Sequence, residues 1–142
     1  MPISWTCLDA SFVIGLVTHP NREALRARLR GWQTDRIRMA APGLIHYELA
    51  NAGYQMERHG QWDATATDQL MEMALSLPLE IVSDPDLHRE ATALARRLSL
   101  PATYDAHYHA VAQRLECELW TLDRKLVGHA SKQLPDRVRL AG

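Results

Sequence analysis

Four carboxylates stand where the local sequence could bring them together for chemistry. Asp9 directly follows the short β-prone stretch Trp5-Thr-Cys-Leu8, and Asp123 follows a similar stretch, Glu118-Leu-Trp-Thr121. Asp105 falls in the first turn of a helix predicted from Tyr104. Glu48 falls near the start of a helix predicted from Leu44, three residues after Ile45 and four before Ala52. It therefore borders an apolar stripe, where an acid is uncommon without a partner. Each acid has a plainer reading: an Asx turn for Asp9, a favourable helix N-terminus for Asp105, a surface ion pair for Asp123. Their placement at one edge is what raises the odds of function. Four carboxylates within reach of one another would repel, and at least one would hold a proton unless a cation joined them. Hard divalent cations prefer oxygen ligands, so Mg²⁺ or Mn²⁺ fits this set and Zn²⁺ does not. Such a site orients a water and stabilises the charge of in-line phosphodiester cleavage. Asn51, three residues after Glu48, could steady that carboxylate or contact a ligand.

The elements that must position these acids follow from apolar spacing and breakers. Strands are predicted at Trp5–Leu8, Ile37–Ala41, Leu79–Val82 and Glu118–Thr121, with an edge strand through Val138 and Leu140. Ser11 reads as the N-cap of an apolar helix over Phe12–Val17, and Asn21 as the cap of Arg22–Trp32. Pro42 suits the first turn of the Leu44–Arg58 helix. Asp63 starts a helix through Ser76. The run Ser83-Asp84-Pro85-Asp86 precedes a helix with Leu87, Ala91, Leu94 and Leu98 on one stripe. Thr103 can cap Tyr104–Glu116, and a short turn or helix covers Leu126–Ser131. Helices between short apolar strands favour right-handed crossovers and a parallel sheet covered on both faces. The expected architecture is a three-layer α/β/α sandwich with a four- or five-stranded, mainly parallel sheet, in a single domain over residues 1–142. Ligand sites in such sheets lie outside the carboxyl ends of the strands.

Composition excludes several classes. The chain has 142 residues, 46% hydrophobic and 23% charged, which is ordinary for a globular domain. Its apolar run Phe12–Val17 is far short of the roughly 20 residues a membrane span needs. The net charge is 16 − 17 = −1, so nucleic-acid binding would have to come from a local patch. Cys7 and Cys117 sit in apolar stretches and read as reduced thiols of a cytoplasmic protein.

The segments Leu8-Asp9-Ala-Ser11, Tyr47-Glu48-Leu-Ala-Asn51, Tyr104-Asp105-Ala-His-Tyr108 and Thr121-Leu-Asp123-Arg-Lys-Leu126 resemble the four acidic motifs of PIN domains. The resemblance spans essentially the whole chain, and its length is similar to that of the VapC toxins of bacterial toxin–antitoxin pairs. It implies a Mg²⁺- or Mn²⁺-dependent endoribonuclease. By that resemblance Asp9, Glu48, Asp105 and Asp123 form the acidic pocket. Asp9 and Asp105 would ligate the metal directly, Asp123 directly or through water, and Glu48 would hold a water. Ser11 and Thr121 would line the pocket. The resemblance further implies structured RNA, above all tRNA, as substrate, a homodimer, and a cognate VapB-like antitoxin whose tail fills the groove and which alone contacts operator DNA.

Arg124 and Lys125, immediately after Asp123, are placed for phosphate contact. Arg22, Arg26 and Arg30 recur every four residues and read first as a solvated face. Trp62, Leu70, Met71 and Met73 are expected either in the core or in a partner groove. His107 and His109 are two apart on a predicted helix and face different ways, so they cannot share a metal there; His109 could flank the pocket. Two rivals remain: a non-catalytic module that uses the acidic pocket for a basic peptide, and a metal-free, all-helical HEPN-type ribonuclease using the Arg-x4-His spacing of Arg124 and His129.

Overall fold

The computed structural model describes residues 3–130 and 137–141, with His129 and Ala130 in backbone only. The elements run β1 (Trp5–Leu8), α1 (Ala10–Thr18), α2 (Arg22–Thr34), β2 (Arg38–Pro42), α3 (Leu44–Arg58), α4 (Ala64–Ser76), β3 (Leu79–Val82), α5 (Pro85–Leu98), α6 (Tyr104–Arg114), β4 (Glu118–Thr121), α7 (Arg124–Ala130) and β5 (Val138–Leu140). The strands form one sheet in the order β3-β2-β1-β4-β5, and every pairing is parallel. Helices cover the sheet to give the expected α/β/α sandwich. A parallel sheet covered this way needs strands apolar on both faces. Accordingly Thr6, Cys7 and Leu8 are all buried, as are Met39, Ala40 and Ala41.

The helices divide by what they touch. α1 packs on α2, α3 and β4, and α6 packs on α5, β1, β2 and β4. Phe12, Val13 and Leu16 of α1 are buried, and so are Tyr108, Val111 and Ala112 of α6. The all-round apolar character of Phe12–Val17 is thus that of a helix pressed between other elements. Gly15 permits the closest approach there: a Cβ at this position would meet the Leu122 side chain at 2.3 Å and Leu25 at 3.0 Å.

Local corrections concern caps. The N-cap of α1 is Asp9, whose side chain accepts from Phe12 N at 3.1 Å, and not Ser11. Asp9 already has extended backbone after β1, which is the geometry an N-cap requires. Asn21 and Thr103 occupy cap positions without a side-chain cap bond. Pro42 ends β2, where its missing N–H leaves the pairing with β3 intact at Val82, and Gly43 precedes α3. Asp63 and Asp84 cap α4 and α5 as expected. Ser131 lies outside the described residues.

Candidate active site

Strand order reverses between β1 and β4. From β1 the chain moves outward through β2 to β3, then crosses to the other side of β1 with β4. The loops leaving these two strands diverge, and the crevice between them is where parallel sheets bind ligands. Asp9 leaves the end of β1 and Asp123 lies just beyond β4. The ladder continues one step past β1, since Asp9 N donates to Trp120 O at 3.2 Å.

Asp9 is the most deeply held acid. Ser11 Oγ donates to its Oδ1 at 2.7 Å, Phe12 N donates to the same oxygen, and Thr121 Oγ1 donates to Oδ2. Ser11 and Thr121 are joined at 3.2 Å, and Leu122 N donates to Ser11 Oγ at 2.9 Å. Asp123 N donates to Thr121 Oγ1 at 2.9 Å. One hydroxyl web therefore ties the end of β1 to the end of β4. A carboxylate offers about four acceptor sites, and the protein fills three on Asp9. Burial lifts the Asp9 carboxyl from 3.8 to about 6; the bonds from Thr121, Ser11 and Phe12 pull it down, and the charge of Glu48 pushes it up.

Glu48 comes from the first turns of α3 and is half-buried. Tyr108 of α6, itself 2% exposed, donates its hydroxyl to Glu48 Oε1. Burial raises the Glu48 carboxyl, the Tyr108 bond lowers it, and the charge of Asp105 raises it. Asp9, Glu48 and Asp105 thus form a chain of mutually repelling charges at one edge of the sheet. Tyr108 is the residue that sequence reasoning missed. It lies three positions after Asp105, on the same face of α6, and that spacing was the available signal.

Asn51 does not steady Glu48. It is exposed, and its Oδ1 accepts from Gln55 Nε2 at 3.4 Å, while Glu48 takes its hydrogen bond from Tyr108. Asp123 Oδ1 accepts from Lys125 N at 2.9 Å, which fixes the turn into α7. Arg124 and Lys125 are exposed beside it. Arg26 is not simply solvated: its Nε donates to Leu16 O at 2.9 Å and ties α2 to α1. Trp62 donates to Gly53 O, Leu70 is buried, and Met71 and Met73 pack on the core, so the α4 segment turns inward. His109 is fully buried, whereas His107 is half-buried and reaches the surface. The Arg124/His129 reading requires an all-helical fold, which the five-stranded sheet excludes; the His129 side chain lies outside the described residues.

The donor set is one of hard carboxylate oxygens under mutual repulsion, which suits a hard divalent cation in kind. Among the described residues, no three His, Cys, Asp or Glu side chains are already drawn together tightly enough to hold an ion. The match is therefore one of donor chemistry and charge.

The PIN domain family model matches residues 6–131 of the chain. Among solved structures the chain is similar to PAE2754 from Pyrobaculum aerophilum, with 28% identity and a TM-score of 0.66 over 89% of this chain and 79% of that one. It is similar to a toxin–antitoxin complex from Klebsiella pneumoniae, with 21% identity and a TM-score of 0.67 over 94% and 95% of the two chains. It is also similar to VapBC2 from Rickettsia felis, bound to a DNA fragment from their promoter, with 16% identity and a TM-score of 0.68 over 96% and 97%. The last two likenesses are of fold. No curated protein matches the sequence.

Proposed function

Because this chain belongs to the PIN domain family, we propose that it is a Mg²⁺- or Mn²⁺-dependent endoribonuclease and the toxin of a toxin–antitoxin pair. The observation that carries the reading is the carboxylate at the topological switch point: Asp9, buried, held by Ser11 and Thr121, and within electrostatic reach of Glu48. Asp9, Asp105 and Asp123 would hold the ion. Bound there, the ion would supply Lewis-acid stabilisation of the charge that develops on the phosphodiester.

The remaining steps belong to the chain's own groups. Ser11 and Thr121 fix the Asp9 carboxylate against rotation, so its remaining acceptor site keeps one direction. Glu48, fixed by Tyr108, orients the attacking water and accepts its proton. Arg124 and Lys125 contact the RNA backbone next to Asp123. The substrate is structured RNA of the tRNA kind. The partner is a VapB-like antitoxin that carries the operator-DNA contact, and the toxin acts as a cytoplasmic homodimer. The toxin–antitoxin complexes of the same fold support the partner.

The test is cleavage of a tRNA pool with Mn²⁺, with EDTA, and with Asp105→Asn. Cleavage only by wild type with metal is expected. Equal cleavage by Asp105→Asn would overturn the site. The alternative is a non-catalytic module that takes a basic peptide in the acidic pocket. A protein that binds an arginine-tipped peptide in the acidic pocket and cleaves no RNA at any Mn²⁺ concentration would decide for it.

A further inference from the structure

A cavity of 310 Å³ is lined by Leu44, Tyr47, Leu87, His88, Tyr104 and His107 among others. It opens at the carboxyl-terminal ends of β2 and β3, since Pro42 and Val82 also line it. Two of the four tyrosines of the chain stand here, and each directly precedes an acid of the candidate site: Tyr47 before Glu48, Tyr104 before Asp105. Both are well exposed, Tyr47 at 78% and Tyr104 at 64%. Large aromatic rings left in water beside a polar site suit a ligand with its own π-face.

A two-histidine chain forms the polar part of the lining. His107 Nδ1 lies 2.7 Å from Thr103 O, and His107 Nε2 lies 2.9 Å from His88 Nδ1. A backbone carbonyl only accepts, so His107 Nδ1 carries the hydrogen. With His107 neutral, its Nε2 accepts from His88 Nδ1–H. His88 then keeps Nε2 as a bare acceptor, without a protein partner among the described residues. No lining residue is Asp, Glu, Lys or Arg. The cavity therefore favours an uncharged, planar, largely apolar occupant with a hydrogen-bond donor on its edge. A peptide anchored by its charge finds no counter-ion here.

We infer that this cavity is a nucleobase subsite, in which a base neighbouring the scissile phosphodiester stacks on Tyr47 and Tyr104 while His88 accepts a hydrogen bond from its edge. The inference rests on the ribonuclease reading, and it deepens it by naming how the substrate is gripped. Tyr47 and Tyr104 directly precede Glu48 and Asp105 in the chain, so the cavity and the acids draw on the same first turns of α3 and α6. A single-stranded or unstacked nucleotide is required, because a paired base has no free face to offer.

The test uses a short single-stranded RNA carrying 2-aminopurine, in EDTA so that cleavage cannot intervene. Stacking changes the fluorescence of the probe directly. Wild type should bind with that change. Tyr47→Phe and Tyr104→Phe should keep it, and each alanine variant should weaken binding on the order of tenfold, as lost base–aromatic stacking does. His88→Ala should weaken binding, and His88→Gln, which retains an acceptor, should hold it. Thermal melts identify any variant that fails to fold, and the exposed positions of both tyrosines favour intact folding. Absence of the fluorescence change in wild type overturns the subsite. So does RNA binding that is unchanged in both alanine variants, including the case in which those variants lose an arginine-tipped peptide instead. The nuclease reading is judged separately by Mn²⁺-dependent cleavage of unlabelled RNA. Stacking without cleavage in wild type would sink that reading and leave the base-binding cavity standing.

Discussion

At the scale of residues, the decisive feature is an acid given two tasks. Asp9 caps α1 and also presents a carboxylate at the switch point of the sheet. Its folded carboxyl sits at about 6 against 3.8 ordinarily, chiefly through burial. Between those two pH values the folded protein holds more protons than the unfolded one, so stability falls as pH rises through the window. A shift of this size corresponds to about 3 kcal/mol. Melts of the metal-free protein from about pH 4 to pH 7 should show that decline, and Asp9→Asn should largely flatten it. A wild-type stability that rises across the window would contradict the burial. Asp84 has the opposite sign, lowered to about 2 by the Arg114 hydrogen bonds, so its stabilisation is lost only below its ordinary 3.8 and leaves this window undisturbed. Tyr108→Phe removes one hydroxyl from a buried ring and deprives Glu48 of its donor. A hydrogen bond to a charged group contributes about 2 kcal/mol, so denaturant melts should register a loss of that order. Cleavage should fall while RNA affinity in EDTA is retained.

At the scale of elements, α5 and α6 are locked together at one corner. Arg114 of α6 bonds to Asp84, the N-cap of α5, and to Glu90 six residues further along. Asp84 meanwhile accepts from Leu87 N at 3.1 Å. Asp84→Ala removes a cap and an inter-helix anchor at once. Asp86→Ala removes only an exposed pair with Arg89 on the same helix, of a kind that contributes little. The first variant should lower the melting temperature clearly more than the second; equal effects would show that the Arg114 bridge is idle. The boundaries of most elements were legible from apolar spacing and from Asp63, Asp84 and Pro85. The caps at Asn21 and Thr103 were not, because a side chain of the right type bonds only where the backbone turns toward it. Ser11 shows the same limit. Its type and position suit a cap, but Asp9, two residues earlier, has the extended backbone a cap needs.

At the scale of the whole molecule, Asp9, Glu48 and Asp105 raise one another's cost of ionisation, and the proposed cation would relieve it. Mn²⁺ should therefore raise the melting temperature of wild type in a saturable way, as a ligand of the folded state does, and should leave Asp105→Asn unmoved. An unchanged wild type would mean that the carboxylates do not gather around the metal. RNA affinity should fall with salt through Arg124 and Lys125, and neutralising both should flatten that dependence. No helix among the described residues is long and apolar enough to cross a membrane. The sequence by itself determined the alternation of strands and helices, the parallel sheet, and the four acids at one edge. These follow from local period and from chain order, which any reading of spacing can use. Only the tertiary structure decided the partners. Tyr108 reaches Glu48 across 60 residues and Thr121 reaches Asp9 across 112, so neither pairing leaves a trace in local spacing. Asn51 is exposed and bonds to Gln55, four residues along its own helix, while the partner of Glu48 comes from α6.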